Sequence, residues 1–198
     1  MTCRIVVLAS GTGSLFKALL DAQDHTFTVA ALVTDNPSAG AIAHAEAAHV
    51  EVRVVSPRDF ADRAEWDEAL TAAITEFKPT LIVSAGFMRV IGHDTLHAFP
   101  DRIINTHPAL LPAFPGAHAV RDALAAGVTR TGSSVHVVDA GVDTGPMIVQ
   151  EAVDINPGDD EAALHERIKV VERRLLVDVV RRIALHGLTV HDRKVTLP

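Results

Sequence analysis

The chain has 198 residues, 48% hydrophobic and 22% charged, the balance of an ordinary globular domain, which excludes disordered and fibrous classes. Eighteen Lys and Arg against 25 Asp and Glu give a net charge of −7, so the phosphate-neutralising term behind nucleic-acid binding is missing and an anionic ligand needs a local pocket. Cys3, the only cysteine, excludes an internal disulfide and a multi-cysteine metal site; no apolar run suits a signal peptide or reaches the about 20 residues of a membrane helix, so a cytoplasmic protein is expected.

Arg4–Ala9 is a continuous apolar run ending at Ser10-Gly11, as a strand buried on both faces reads. Ser14–Gln23 follows with Leu15, Phe16, Leu19 and Leu20 at helical period. Strand and helix then alternate: Thr28–Thr34 extended, alanine-rich Ala39–His49 helical, Val52–Val55 extended, Glu65–Phe77 helical, Thr80–Ser84 extended. That alternation predicts a parallel sheet wrapped by crossover helices. Arg102–Asn105 reads as a further strand and Ala117–Ala126 as a helix. Ser133–Asp139 and Met147–Ile155 are strands joined by Ala140–Pro146, too short for a helix, which predicts an antiparallel pair. Asp160–His186 is one long amphipathic helix opened by Pro157-Gly158-Asp159, and a strand-like tail ends the chain. The fold class expected is α/β: an open, mostly parallel twisted sheet, antiparallel in its second half, with a long C-terminal helix.

Gly11-Thr12-Gly13-Ser14 lies between the first strand and the first helix, where an open α/β sheet binds ligands. Glycines admit a phosphate to the backbone and the helix start offers N–H groups to it. Phe16 occupies the third glycine position of a dinucleotide fingerprint and no Gly-Lys-Ser/Thr follows, so the alternative of a tight turn capped by Ser14 stays open. Asn105 and His107, two apart on an extended segment, point to one side. An amide and an imidazole together can stabilise an oxyanion and move a proton, as acyl transfer requires, although for an Asn-x-His taken alone a polar strand end with an incidental His is the commoner case. Pro108 and Pro112 would stiffen the loop after this strand. Asp143-Thr144-Gly145 lacks the second carboxylate of an aspartic protease and reads as a turn, but beside an imidazole its carboxylate would favour the cation and fix the tautomer. His93 and His97 have helical i, i+4 spacing without the Glu of a zinc protease, and read as exposed polar residues. The pairs Arg173-Arg174 and Arg181-Arg182 read as a solvated helix face.

Four segments in order, Phe87–Ile91, Asn105–Pro112, Gly132–His136 and Asp143–Pro146, resemble the formyltransferase family, and the similarity runs from Val6 to about Gly187. The resemblance implies one formyltransferase domain over residues 1–198. It also implies a reaction: transfer of the formyl group of 10-formyltetrahydrofolate to the amine of 5'-phosphoribosylglycinamide in purine synthesis, with no metal required. Asn105, His107 and Asp143 fall on the family's catalytic positions. Gly11, Thr12, Gly13, Ser14 and Leu15, with Pro108 and Glu172, fall on the ribonucleotide side. Arg63, Met88, Arg89, Val90, Ile91 and Asp139, with Asn105 and Asp143, fall on the folate side, and His118 on a family His near the substrate.

Two departures stand out. Thr12 and Leu15 replace the asparagines of a common Gly-Asn-Gly-Ser-Asn loop, which leaves phosphate binding there to backbone N–H groups, and Ala113 replaces a common Lys. Two other activities share the fold. A formyltetrahydrofolate hydrolase is expected to carry an extra N-terminal domain and a methionyl-tRNA formyltransferase an extra C-terminal one; 198 residues leave room for neither, and the −7 charge argues against tRNA. A non-catalytic nucleotide-binding module and a metal hydrolase are the readings from other classes. The partners implied are two small molecules, with no nucleic acid and no membrane, for a monomer or homodimer.

Overall fold

Strand β1 (Cys3–Leu8) has no polar side in its second half: Ile5 and Val7 enter one apolar cluster, Val6 and Leu8 another. A strand that buries both faces belongs at the centre of a sheet, and β1 pairs in parallel with β2 (Phe27–Thr34) on one side and β4 (Leu81–Ser84) on the other. With β3 (Glu51–Val54), β5 (Ile103–His107), β6 (Arg130–Val137) and β7 (Met147–Asp154) the sheet has seven strands in the order β3-β2-β1-β4-β5-β6-β7. The first five are parallel; β6 alone runs the other way, antiparallel to β5 and to β7, the latter as the short connection between β6 and β7 requires. Chain order reverses direction between β1 and β4, the switch point beyond whose C-terminal ends such sheets open a crevice.

Helices cover both faces. α1 (Ser14–Asp21), α2 (Ala41–Ala47) and the 26-residue α6 (Glu161–His186) pack on the cluster built around Ile5, Val7 and Ile104. α3 (Arg63–Glu76) packs Trp66, Leu70 and Ile74 on the other, and α4 (His93–Ala98) comes after β4. Trp66 stacks on Phe87 at 6.4 Å between ring centroids and donates from Nε1 to the Val55 carbonyl at 2.8 Å, so α3 holds the segment leaving β4. α5 (Ala119–Ala125) packs Val120 against Leu164 and Ile168 of α6 and Val153 of β7, and the tail forms a hairpin of β8 (Thr189–His191) and β9 (Lys194–Thr196).

The computed structural model describes residues 2–197 and bears out the expected architecture. Several boundaries shift by a few residues, among them β5, which runs on to His107, and α5, which starts at Ala119; two of the shifts have a direct physical reason. β6 begins at Arg130, not Ser133, and contains Gly132, because a Cβ there would lie 2.2 Å from the Glu151 carbonyl of β7. α3 begins at Arg63, two residues early, because the Asp62 carboxylate accepts from the N–H groups of Ala64 and Glu65. The arginines of α6 lie exposed or half-exposed, as expected, and three of them also find partners: Arg174 pairs with Glu151, Arg181 donates to the Ala22 carbonyl and Arg182 to that of Leu197.

Candidate active site

The C-terminal ends of β1, β4 and β5 open into a cleft of about 480 Å³. Gly11, Thr12, Gly13 and Ser14 form one wall. Gly13 takes the cap position of α1 at φ 76°, and no side chain caps the helix, so the Ser14 cap is not formed and the first N–H groups stay free of side-chain partners. A Cβ at Gly13 would meet Ala41 of α2 at 2.7 Å, whereas one at Gly11 would meet nothing within 4 Å. Packing against Ala41 therefore requires glycine at position 13, whereas the fold itself leaves room for a side chain at position 11. Leu15 lines the cleft floor and is buried in the core beneath the turn.

His165, Lys169 and Glu172 reach the same cleft from α6 at i, i+4 and i+7. Glu172 is only 4% exposed. Burial pushes its carboxyl up to about 7, although the Thr106 hydroxyl, Lys169 and Arg173 pull it back. Burial likewise lowers His165, and Lys169 adds to the effect.

Met88, Arg89, Val90 and Ile91 form the facing wall, with Met88 and Val90 exposed and Ile91 buried beneath them. This wall is tied to the glycine turn. The Ser10 hydroxyl donates to Asp35 at 2.5 Å and accepts the Met88 N–H at 2.9 Å, and Arg89 Nε donates to the other Asp35 oxygen at 2.8 Å. Arg63 does not reach the lining: its guanidinium lies over the Trp66 ring at 4.8 Å and donates to the Val90 carbonyl, bracing the wall from behind. His118 is exposed at the start of α5, just past lining residues Gly116 and Ala117.

Alternation along β5 sends Thr106 towards Glu172 and Asn105 and His107 to the opposite side, where both meet Asp143. Asp143 Oδ2 is 3.3 Å from His107 Nδ1 and accepts the Gly116 N–H at 2.8 Å. Its Oδ1 is 3.5 Å from Asn105 Nδ2 and 3.5 Å from His136 Nε2. His107 Nε2 lies 2.7 Å from the Phe114 carbonyl, which can only accept, so Nε2 carries a hydrogen and Nδ1 is the atom turned to the carboxylate. Burial would push the Asp143 carboxyl up, but His136, the Gly116 N–H and the charge of His107 together hold it below the ordinary range. Pro108 lines the cleft beside His107. Asp139 lies at its rim, where its carboxylate accepts from Thr144 Oγ1 at 2.6 Å and the Gly141 N–H at 3.1 Å.

The structure thus brings together every expected site residue except Arg63 and His118. It adds His136, His165, Lys169 and Asp35. His136 faces Asn105 across the β5–β6 ladder, a pairing that needs the strand register. His165 and Lys169 were findable by counting back from Glu172 along one helix face.

A family model described as formyl transferase matches residues 3–180. The chain is 54% identical over 196 residues to a phosphoribosylglycinamide formyltransferase of Mycobacterium tuberculosis, covering 98% of this chain and 91% of that one. It is 38% identical over 183 residues to the Bacillus subtilis protein of the same name, covering 91% and 94%. Among solved structures, glycinamide ribonucleotide transformylase 1 from Symbiobacterium toebii superposes with a TM-score of 0.95 at 38% identity, covering 99% of this chain and 94% of that one.

Proposed function

The chain belongs to the formyl transferase family, and we propose from its site that it moves the formyl group of 10-formyltetrahydrofolate to the amine of 5'-phosphoribosylglycinamide, releasing tetrahydrofolate. The observation that carries this reading is the meeting of Asn105, His107 and Asp143 between a glycine turn and an apolar wall. The ribonucleotide phosphate lies on the backbone N–H groups of Gly11–Ser14, with Lys169 and His165 supplying polar contacts from α6, and Glu172 accepts from the ribose hydroxyls. The flat pterin lies against Met88, Val90 and Ile91, its polar edge towards backbone groups of that segment and of Asp139–Asp143.

The attacking amine converts the flat formyl carbon into a tetrahedral oxyanion. Asn105 Nδ2 donates to that oxygen. His107, tied through Nε2 to Phe114, shares its Nδ1–H between the oxyanion and Asp143, a contact loose enough at 3.3 Å to be divided. Asp143 takes a proton from the attacking amine, directly or through water, and His107 gives its Nδ1 proton to the departing folate nitrogen; the proton on Asp143 then passes to Nδ1, 3.3 Å away, restoring both groups without an external acid. Removing one oxyanion donor of this kind typically costs about 10²–10³ in turnover.

The same reading takes residues 1–198 as one formyltransferase domain in the cytoplasm, a monomer or homodimer acting on these two small molecules and on neither nucleic acid nor membrane. The net charge of −7 supports the exclusion of nucleic acid, and among the described residues no helix is long and apolar enough to cross a membrane. A spectrophotometric transfer assay with both substrates tests it: wild type should turn over and His107→Ala should not. Equal rates for the two would remove His107 from the reaction.

A further inference from the structure

The loop that carries Asp143 has little apolar support. Val142 at its tip is 51% exposed, and the loop's own shape is set by close packing. A Cβ on Gly141 would lie 2.1 Å from Thr144 Oγ1, and one on Gly145 would lie 1.7 Å from the Val137 carbonyl. Besides the contacts that Asp143 makes with Gly116, His107, Asn105 and His136, this small folded unit is held by the C-terminal hairpin. At the β8–β9 turn, Asp192 and Arg193 both have positive φ, 49° and 61°, which aims the Arg193 side chain back across the sheet edge. Arg193 Nη1 is 3.3 Å from Asp139 Oδ2, and Nη2 donates to the Thr144 carbonyl. One guanidinium therefore grips both ends of the loop. Asp143, at φ 54°, lies directly before Thr144, so a small rotation at this point would swing its carboxylate off His107.

We propose that Arg193 is a positioning residue for formyl transfer: by clamping Asp139 and the Thr144 carbonyl it holds the loop so that Asp143 faces His107 and the folate side of the rim keeps its shape. The family match ends at residue 180, so the hairpin lies outside the part shared with the family model. Arg193 is about two-thirds exposed, does not line the cleft, and acts only through the loop. An exposed ion pair alone contributes little, but here a charged fork meets both a carboxylate and a backbone carbonyl. The Asp139 carboxyl reflects the arrangement: burial would raise it, yet Thr144, the Gly141 N–H and Arg193 together bring it down.

The inference rests on the role proposed for Asp143, so the test separates the two. Amide hydrogen exchange over residues 140–145 and steady-state kinetics are measured for wild type, Arg193→Ala, Arg193→Lys and Asp143→Asn. Arg193→Ala should speed exchange in that loop and, by the worth of a charge-assisted contact, lower kcat and raise the folate KM by about 3- to 10-fold each. The ribonucleotide KM should stay put, and Arg193→Lys should recover part of both losses. Wild-type exchange in Arg193→Ala overturns the clamp. So does faster exchange with unchanged kcat and folate KM while Asp143→Asn is inactive. Transfer that survives Asp143→Asn overturns the site reading itself, and the role given to Arg193 with it.

Discussion

Replacing Glu172 by Gln should stabilise the protein while damaging substrate binding. The Glu172 carboxyl, 4% exposed, sits at about 7 in the folded chain, pushed there by burial, against an ordinary value of 4.5. The folded state therefore holds this proton more tightly than the unfolded chain does. Stability falls as pH rises between those values, and above about 7 the whole cost is present: about 3 kcal/mol at 1.4 kcal/mol per pH unit. Gln keeps the size and an acceptor for Thr106 but carries no charge. Urea unfolding should show Glu172→Gln more stable than wild type by up to about 3 kcal/mol at about pH 8 and by less than about 1 kcal/mol at about pH 5. Meanwhile its ribonucleotide KM should rise by about tenfold or more, the worth of hydrogen bonds to a charged acceptor. The wild-type KM should also climb as pH drops below about 7, and the variant's should not. Parallel pH–stability curves for the two proteins between about pH 5 and 8 would refute the argument.

The glycine turn offers a contrast. Gly11→Val points into open cleft and should raise the ribonucleotide KM by about tenfold with the fold intact, whereas Gly13→Ala strikes Ala41 at 2.7 Å and should lose about 1–3 kcal/mol in urea unfolding. Gly13→Val is for that reason a poor probe of phosphate binding. Arg89→Ala breaks the pair with Asp35, and Arg63→Ala frees the Val90 carbonyl. Both should raise the folate KM by about 3- to 10-fold and leave the ribonucleotide KM nearly unchanged; equal effects on both constants would mean that these residues only hold the fold.

The parallel half of the sheet was legible because Ile5 to Leu8 form a short apolar run closed by Ser10-Gly11, as a strand buried on both faces reads, and strand-like and helix-like segments then alternate. Asn105 and His107 were legible by their period of two. The features hidden from the sequence depend on distant backbone. Gly132 reads as a strand breaker until Glu151 is seen against it, and Arg63 resembles a ligand contact until Trp66 and the Val90 carbonyl claim its guanidinium. His136 needs the β5–β6 register, and Arg193 needs the hairpin turn to aim it across the sheet edge. Asp143 itself reads as a turn former by local sequence; only the fold brings it to His107.

That meeting is best tested by a double-mutant cycle on single-turnover formyl transfer, with wild type, His107→Ala, Asp143→Asn and the double variant saturated in both substrates. Acting as one unit, the pair should give single variants slower by about 10²–10³ or more, and a double variant within a few-fold of the worse single one. Losses that multiply, or either single variant turning over at the wild-type rate, would contradict the shared role of His107 and Asp143.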